Sequence, residues 1–157
     1  MADIYAATKA LLAADATLTD ITDFNGVIDD DDVGKEGLSR SDLQSGSTPR
    51  IVPTIYLNWT TSAPISRAPQ VMKGASSGVQ GVSEFLEVYF YENKGYSTIE
   101  TMRRRVWVLL NQQRVSIDTD YLYNFIWRGD VKRRKDERLG DIPMERSRFE
   151  GVMIRRF

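Results

Sequence analysis

The chain has 157 residues, 41% hydrophobic and 27% charged, with no cysteine and no histidine. That excludes disulfides, thiolate chemistry and Cys-ligated metals, together with every Ser-His, Cys-His and His-zinc arrangement. The net charge of −1 hides a polarity: residues 1–49 carry ten acids and three bases (−7), residues 50–157 twelve acids and eighteen bases (+6).

Such asymmetry predicts one acidic and one basic end, suited to a subunit stacked between two partners. The length is that of one domain, 1–157, which typically buries about 70% of its unfolded surface. No apolar run approaches the ~20 residues of a membrane span, and Met1-Ala2-Asp3-Ile4 lacks the start of a secretory signal. Synthesis in the cytosol is the default expectation.

A helix is expected from Asp3 to about Leu18, with Asp3 as N-cap and Ile4, Ala7, Leu11, Ala14 and Leu18 on one face. Phe24-Asn25-Gly26-Val27-Ile28 reads as a turn into a short extended piece. Residues 29–49 and 61–82 read as long mobile loops, the first opening with four aspartates. Between them Arg50 to Thr60 has the period of a strand, Ile51, Pro53, Ile55, Leu57 and Trp59 alternating with Val52, Thr54, Tyr56 and Asn58. Pro53 belongs near the strand start or on an edge. Ser83 to Glu92 forms a second strand that pairs with the first as a hairpin.

Ser97-Thr98-Ile99-Glu100 has the pattern of a capping box opening a second helix. Ile99, Met102, Val106, Leu109, Leu110 and Gln113 mark its core face. Arg104, Val108 and Asn111 face away, with Arg103, Trp107 and Arg114 on one shoulder. Tyr121 to Arg128 is a third strand, the charged run Gly129 to Arg138 turns the chain, and Arg146 to Phe157 is a fourth strand in which Gly151 signals a bulge. The expected class is α+β in the order helix-strand-strand-helix-strand-strand: a mostly antiparallel four-stranded sheet with two helices packed on one face.

Two helices cover one face only, yet both faces of these strands carry large side chains. Phe85, Tyr89, Tyr91, Tyr121, Tyr123, Phe125 and Trp127 are therefore expected at a subunit or partner interface, where tyrosine and tryptophan are favoured. The competing expectation is that a loop folds back over them. Asp29 to Asp32 lacks the spaced pattern of a calcium loop and reads as a solvated acidic loop. Arg103, Arg104 and Arg105 diverge by ~100° per residue and cannot form one patch. Lys132, Arg133, Arg134 and Lys135 form a more compact tip, expected to meet solvent, a partner or a nucleic-acid backbone. Gly74-Ala75-Ser76-Ser77-Gly78 lacks the lysine of a phosphate loop.

The order of these pieces resembles the tail-terminator, or head–tail joining, family of long-tailed phages. The resemblance rests on the N-terminal helix, the Phe24-Asn25-Gly26 turn, the Val52-Pro53-Thr54-Ile55-Tyr56-Leu57 and Phe85-Leu86-Glu87-Val88-Tyr89-Phe90 strands, the helix behind Ser97, the aromatic strand, the charged tip and the Arg-rich final strand. It is one of pattern, and the loops at 29–49 and 61–82 are longer here. It implies a structural virion protein, assembled in the host cytoplasm, that forms a homohexameric ring at the head-proximal end of the tail tube. Such a ring ends tube polymerisation and meets the head connector, with DNA passing through its lumen. Arg103, Arg104, Arg114 and the Lys132–Lys135 group are the expected partner or lumen contacts. Neither catalysis nor a cofactor belongs to that role. A different neck or head-completion protein, or a nucleic-acid-binding adaptor using the basic C-terminal half, is the alternative.

Overall fold

The computed structural model describes residues 3–45, 49–64, 82–116 and 121–155. Asp3 caps α1, Ile4–Ala13, its carboxylate accepting from the Ala6 amide at 2.7 Å. The expected single helix to Leu18 breaks at Ala14. Asp15 caps a second, one-turn helix, α2 (Ala16–Thr19), by accepting from the Leu18 amide at 3.0 Å. The buried face of α1 is Ile4, Thr8 and Leu12 at strict i, i+4 spacing, and Leu11 points outward.

Six strands follow: β1 (Gly26–Asp29), β2 (Thr54–Pro64), β3 (Val82–Tyr91), β4 (Arg114–Ser116), β5 (Tyr121–Asp136) and β6 (Ile142–Arg155), with α3 (Ser97–Leu110) between β3 and β4. They form one sheet in the order β1-β2-β3-β6-β5-β4. β1 runs parallel to β2 and every other pairing is antiparallel. The sheet curls into a half-barrel, and the fold is mostly β. This corrects the four-stranded antiparallel expectation in two places. The extended piece at Gly26 is a true edge strand, and Arg114–Ser116, expected to trail the second helix, is the other edge. Gln112, at φ 58°, ends the helix and frees that segment to pair with Leu122 to Asn124.

The hairpin expectation holds, with β2 and β3 paired from Thr54↔Tyr91 to Pro64↔Val82. The charged run expected to turn the chain instead extends β5 as far as Asp136. It accommodates register shifts at Trp127/Gly129 and Val131/Arg134, where Gly129 (φ 132°) and Arg133 (φ 51°) adopt positive φ. Gly151, where a bulge was expected, pairs regularly with Glu84 and Phe125. A Cβ there would lie 3.1 Å from the Phe125 ring, so the glycine leaves room for an aromatic neighbour.

One face of the sheet meets the helices. Ile55, Leu57, Leu86, Val88, Phe90, Tyr123, Phe125 and Phe149 pack there against Ile4, Leu12, Leu18, Ile99, Met102, Val106 and Leu110. α1 touches both edge strands, β1 and β4, as the curl of the sheet requires. Part of the other face is covered by the chain's own connection. Parallel neighbours such as β1 and β2 need a crossover of a dozen or more residues, and residues 30–53 supply it. Leu38, Leu43 and Ile51 from that crossover, with Leu139 and Ile142, bury Tyr56 and Tyr91. Asn25 ties it down through its side-chain amide to the Asp42 carbonyl at 3.0 Å, and Arg40 donates to the Leu139 carbonyl at 2.9 Å.

Candidate functional site

The seven aromatics expected on one interface do not share a face. Phe85, Tyr89 and Tyr91 lie on the crossover side of β3. Tyr123 and Phe125 lie on the opposite, helix-covered side and are 6% and 0% exposed. Burial pushes the Tyr123 phenol up to about 12. Residues on neighbouring strands share a face only if the register makes them partners or places them two apart. Here β6 lies between β3 and β5, and Phe149 is opposite both Leu86 and Trp127. The aromatic side of β5 therefore falls in line with the aliphatic side of β3. The Tyr121 side chain lies outside the described residues, as do residues 65–81.

The crossover side is less greasy than the sequence implied. Beyond the crossover it carries charge: Arg128 meets Glu150 at 2.6 Å, Arg146 meets Glu87 at 3.4 Å, and the Arg148 guanidinium lies 5.2 Å from the Phe85 ring centroid. Tyr56 and Tyr91 donate to Asp30 and Asp136 respectively. Burial, reinforced by those carboxylates, raises both phenols well above the ordinary tyrosine value. The chain's own loop thus shields much of the face that a second subunit was expected to cover.

The basic residues separate as helix geometry demands. Arg103 is buried, donating through Nε to Glu145 at 3.0 Å and through Nη1 to Asp130 at 3.0 Å. Arg104 points outward and meets Glu100 at 2.7 Å. Arg105 turns to Asp15 and holds its carboxyl below the usual range. Glu100 is drawn to these arginines, and no side chain caps α3, whose N-cap is Tyr96; the expected capping box is absent. Arg114 is exposed on β4, and Lys132, Arg133, Arg134 and Lys135 are exposed along β5, with Arg133 over the Tyr96 ring at 5.5 Å. Arg103 thus drops out of any solvent-facing contact set.

The aspartate run is also more structural than expected. Asp29 is buried, its amide donates to Asp32 at 3.0 Å, and Lys9 bridges Asp29 and Asp32. Desolvation raises the Asp29 carboxyl, and the Lys9 hydrogen bond lowers that of Asp32. Among the described residues no group of three His, Cys, Asp or Glu side chains is arranged to hold a metal ion, and no helix is long and apolar enough to cross a membrane.

Two surfaces stand out instead. The first is a cleft of about 670 Å³ between α3 and β5, lined by Trp107, Val108 and Trp127 and rimmed by Arg104 and Lys132. Trp127 is held at both ends: its amide donates to Asn111 Oδ1 at 3.0 Å and its indole N–H to Asp130 at 3.0 Å. Asp130 is in turn fixed by Arg103 and by the Ser147 hydroxyl at 2.6 Å. The second is a cleft of about 660 Å³ against α1, lined by Tyr5, Trp59 and the alanines Ala6, Ala10 and Ala13, with Lys9 set among the carboxylates of Asp3, Asp29, Asp30 and Asp31. Helix spacing puts Trp107 on a shoulder beside Arg103 but does not show that it lines one cleft with Trp127. The signal was one aromatic on each of two distant elements, and only the fold joins them.

No protein-family model matches the chain, and no curated protein matches it. Among solved structures, it is similar to a chain of the virion of a native gene transfer agent particle, with a TM-score of 0.62 and 14% identity over 96% of this chain and 93% of that one. That likeness is one of fold. It covers nearly the whole of both chains.

Proposed function

We propose that the chain is a structural subunit of a phage-like particle. The observation that carries this reading is the end-to-end likeness of fold to a chain of a gene transfer agent virion. The sequence agrees, since it has no histidine or cysteine and its perturbed carboxylates are engaged with Lys9 and Arg105. In finer detail, the subunit forms a homohexameric ring at the head-proximal end of the tail tube, ends tube growth and joins the tail to the head connector. DNA passes through the lumen without sequence-specific contact. This detail is supported by the element pattern of the tail-terminator family, by the separation of acidic and basic halves, and by two clefts of opposite charge.

The test is the particle itself. Particles made without this protein should have tails of uncontrolled length that fail to join heads, and labelled protein should sit at the neck. A protein that stays monomeric when purified and is absent from particles defeats the proposal. The exposed run Lys132, Arg133, Arg134 and Lys135 favours a second reading, a nucleic-acid-binding adaptor. A steep fall of duplex-DNA affinity with salt, measured on the isolated subunit, would support that reading.

A further inference from the structure

We infer that copies of this chain join head to tail, the Trp107–Val108–Trp127 cleft of one copy seating on the outer face of α1 in the next. The inference rests on the ring reading and adds the two surfaces that meet.

Among the described residues, the exposed large hydrophobic side chains fall into two groups. Trp107, Val108 and Trp127, at 42%, 50% and 41% exposure, line the first cleft; on α1, Tyr5, at 38%, lines the second beside Ala6, Ala10 and Ala13, while Leu11 lies outside it. Exposed apolar groups gathered in this way mark interaction sites more often than scattered ones do. The two groups differ in charge. Arg103, Arg104 and Lys132 against Asp130 line the first, where Arg104 also meets Glu100, and Asp3, Asp29, Asp30 and Asp31 against Lys9 line the second, so the first is net positive and the second net negative. Each surface would repel its own kind and attract the other, which favours a contact between unlike faces and disfavours a two-fold one. Because both halves of the match lie on this one chain, a second copy is the partner that fits.

The shapes agree with the charges. The outer face of α1 offers small Ala6, Ala10 and Ala13, against which broad indole rings can lie flat. The Trp127 indole is already held by Asp130, and its backbone amide by Asn111, so less side-chain freedom remains to be lost on docking. Contacts between unlike faces repeat from copy to copy and close into a ring when the rotation allows.

The absence of cysteine in the chain makes the test clean. Val108→Cys and Ala10→Cys are prepared separately in the full-length protein, mixed and mildly oxidised. The expected result is a covalent dimer in the mixture and none from either variant alone, while the double variant gives a ladder ending at the size of the ring. Covalent dimers from Val108→Cys alone would reveal a two-fold contact and overturn the inference. So would a wild-type ring whose mixed variants do not cross-link, or cross-linking in particles only to a different protein; either leaves the ring reading standing. Wild-type protein that never assembles removes the ring reading and this inference together. A second measurement uses charge. Arg104→Glu with Lys132→Glu in one copy, and Asp31→Lys with Asp30→Asn (which keeps an acceptor for Tyr56) in another, should each weaken assembly, and an equal mixture should restore it as alternating copies because each altered face then meets a complementary one. Wild-type assembly by either variant would refute the charge match.

Discussion

The two faces of the sheet are stabilised by different means. On the helix side, α1, α2 and α3 supply an extended aliphatic and aromatic layer, and the buried polar groups near its end are satisfied by full charges: Arg103 against Asp130 and Glu145. On the other side a crossover without a long helix supplies Leu38, Leu43 and Ile51, and the polar groups are phenols donating to carboxylates, Tyr56 to Asp30 and Tyr91 to Asp136. A helix brings a continuous stripe of side chains with its backbone already paired. A crossover brings a few anchors and must tie its backbone down through groups such as Asn25 and Arg40. The helix side should therefore behave as the global core, and the crossover side should open separately and sooner.

The largest effect is expected where the helix side holds its charges. Arg103→Met leaves Asp130 and Glu145 buried without their cation, and chemical denaturation should show a loss of about 3–5 kcal/mol. An equal loss from Arg104→Met would show that burial is not the cause. On the crossover side, Leu43→Ala removes a fully buried anchor and should cost about 3 kcal/mol. Hydrogen exchange should localise the loosening to residues 30–53. Uniform loosening across the sheet would merge the two faces into one cooperative unit.

Asp15→Ala comes next, at about 1–2 kcal/mol, because the carboxylate both caps α2 and receives Arg105. Its pH dependence has a definite sign. The folded carboxyl lies below its ordinary value near 4, so its contribution is present above that value and is lost as the pH falls through the folded one. Wild-type protein should lose stability on acidification below about pH 4, and Asp15→Asn should lose less. The phenols of the crossover side act in the opposite direction. Tyr56 and Tyr91 are raised in the fold, so their contribution is complete below the ordinary tyrosine value near 10 and fades above it. Tyr91→Phe should cost about 1 kcal/mol at neutral pH and flatten the alkaline loss. The smallest change belongs to Arg104→Ala, within about 0.5 kcal/mol, since its pair with Glu100 is exposed.

Much of this was legible in local sequence. The Asp3 cap, the β2–β3 hairpin and the divergence of Arg103, Arg104 and Arg105 follow from spacing alone. The short edge strands were not, because three or four residues such as Arg114 to Ser116 carry too little periodicity to separate them from a helix tail. The end of β5 was hidden by its charges: Lys132 to Lys135 look like a turn, yet an exposed strand bordered by bulges accepts them.

What the sequence by itself determined is the alternation within each element: Leu86, Val88 and Phe90 oppose Phe85, Tyr89 and Tyr91 whatever the fold, because a strand turns its side chains by half a revolution per residue. Only the tertiary structure decided how these alternations line up across strands. Placing β6 between β3 and β5 put Tyr123 and Phe125 into the helix-side core and Tyr89 and Tyr91 on the far face. The parallel pairing of β1 with β2 turned the acidic loop into a cover. Both choices are settled by contacts between residues far apart in the chain, whose free energy depends on partners that local spacing does not name.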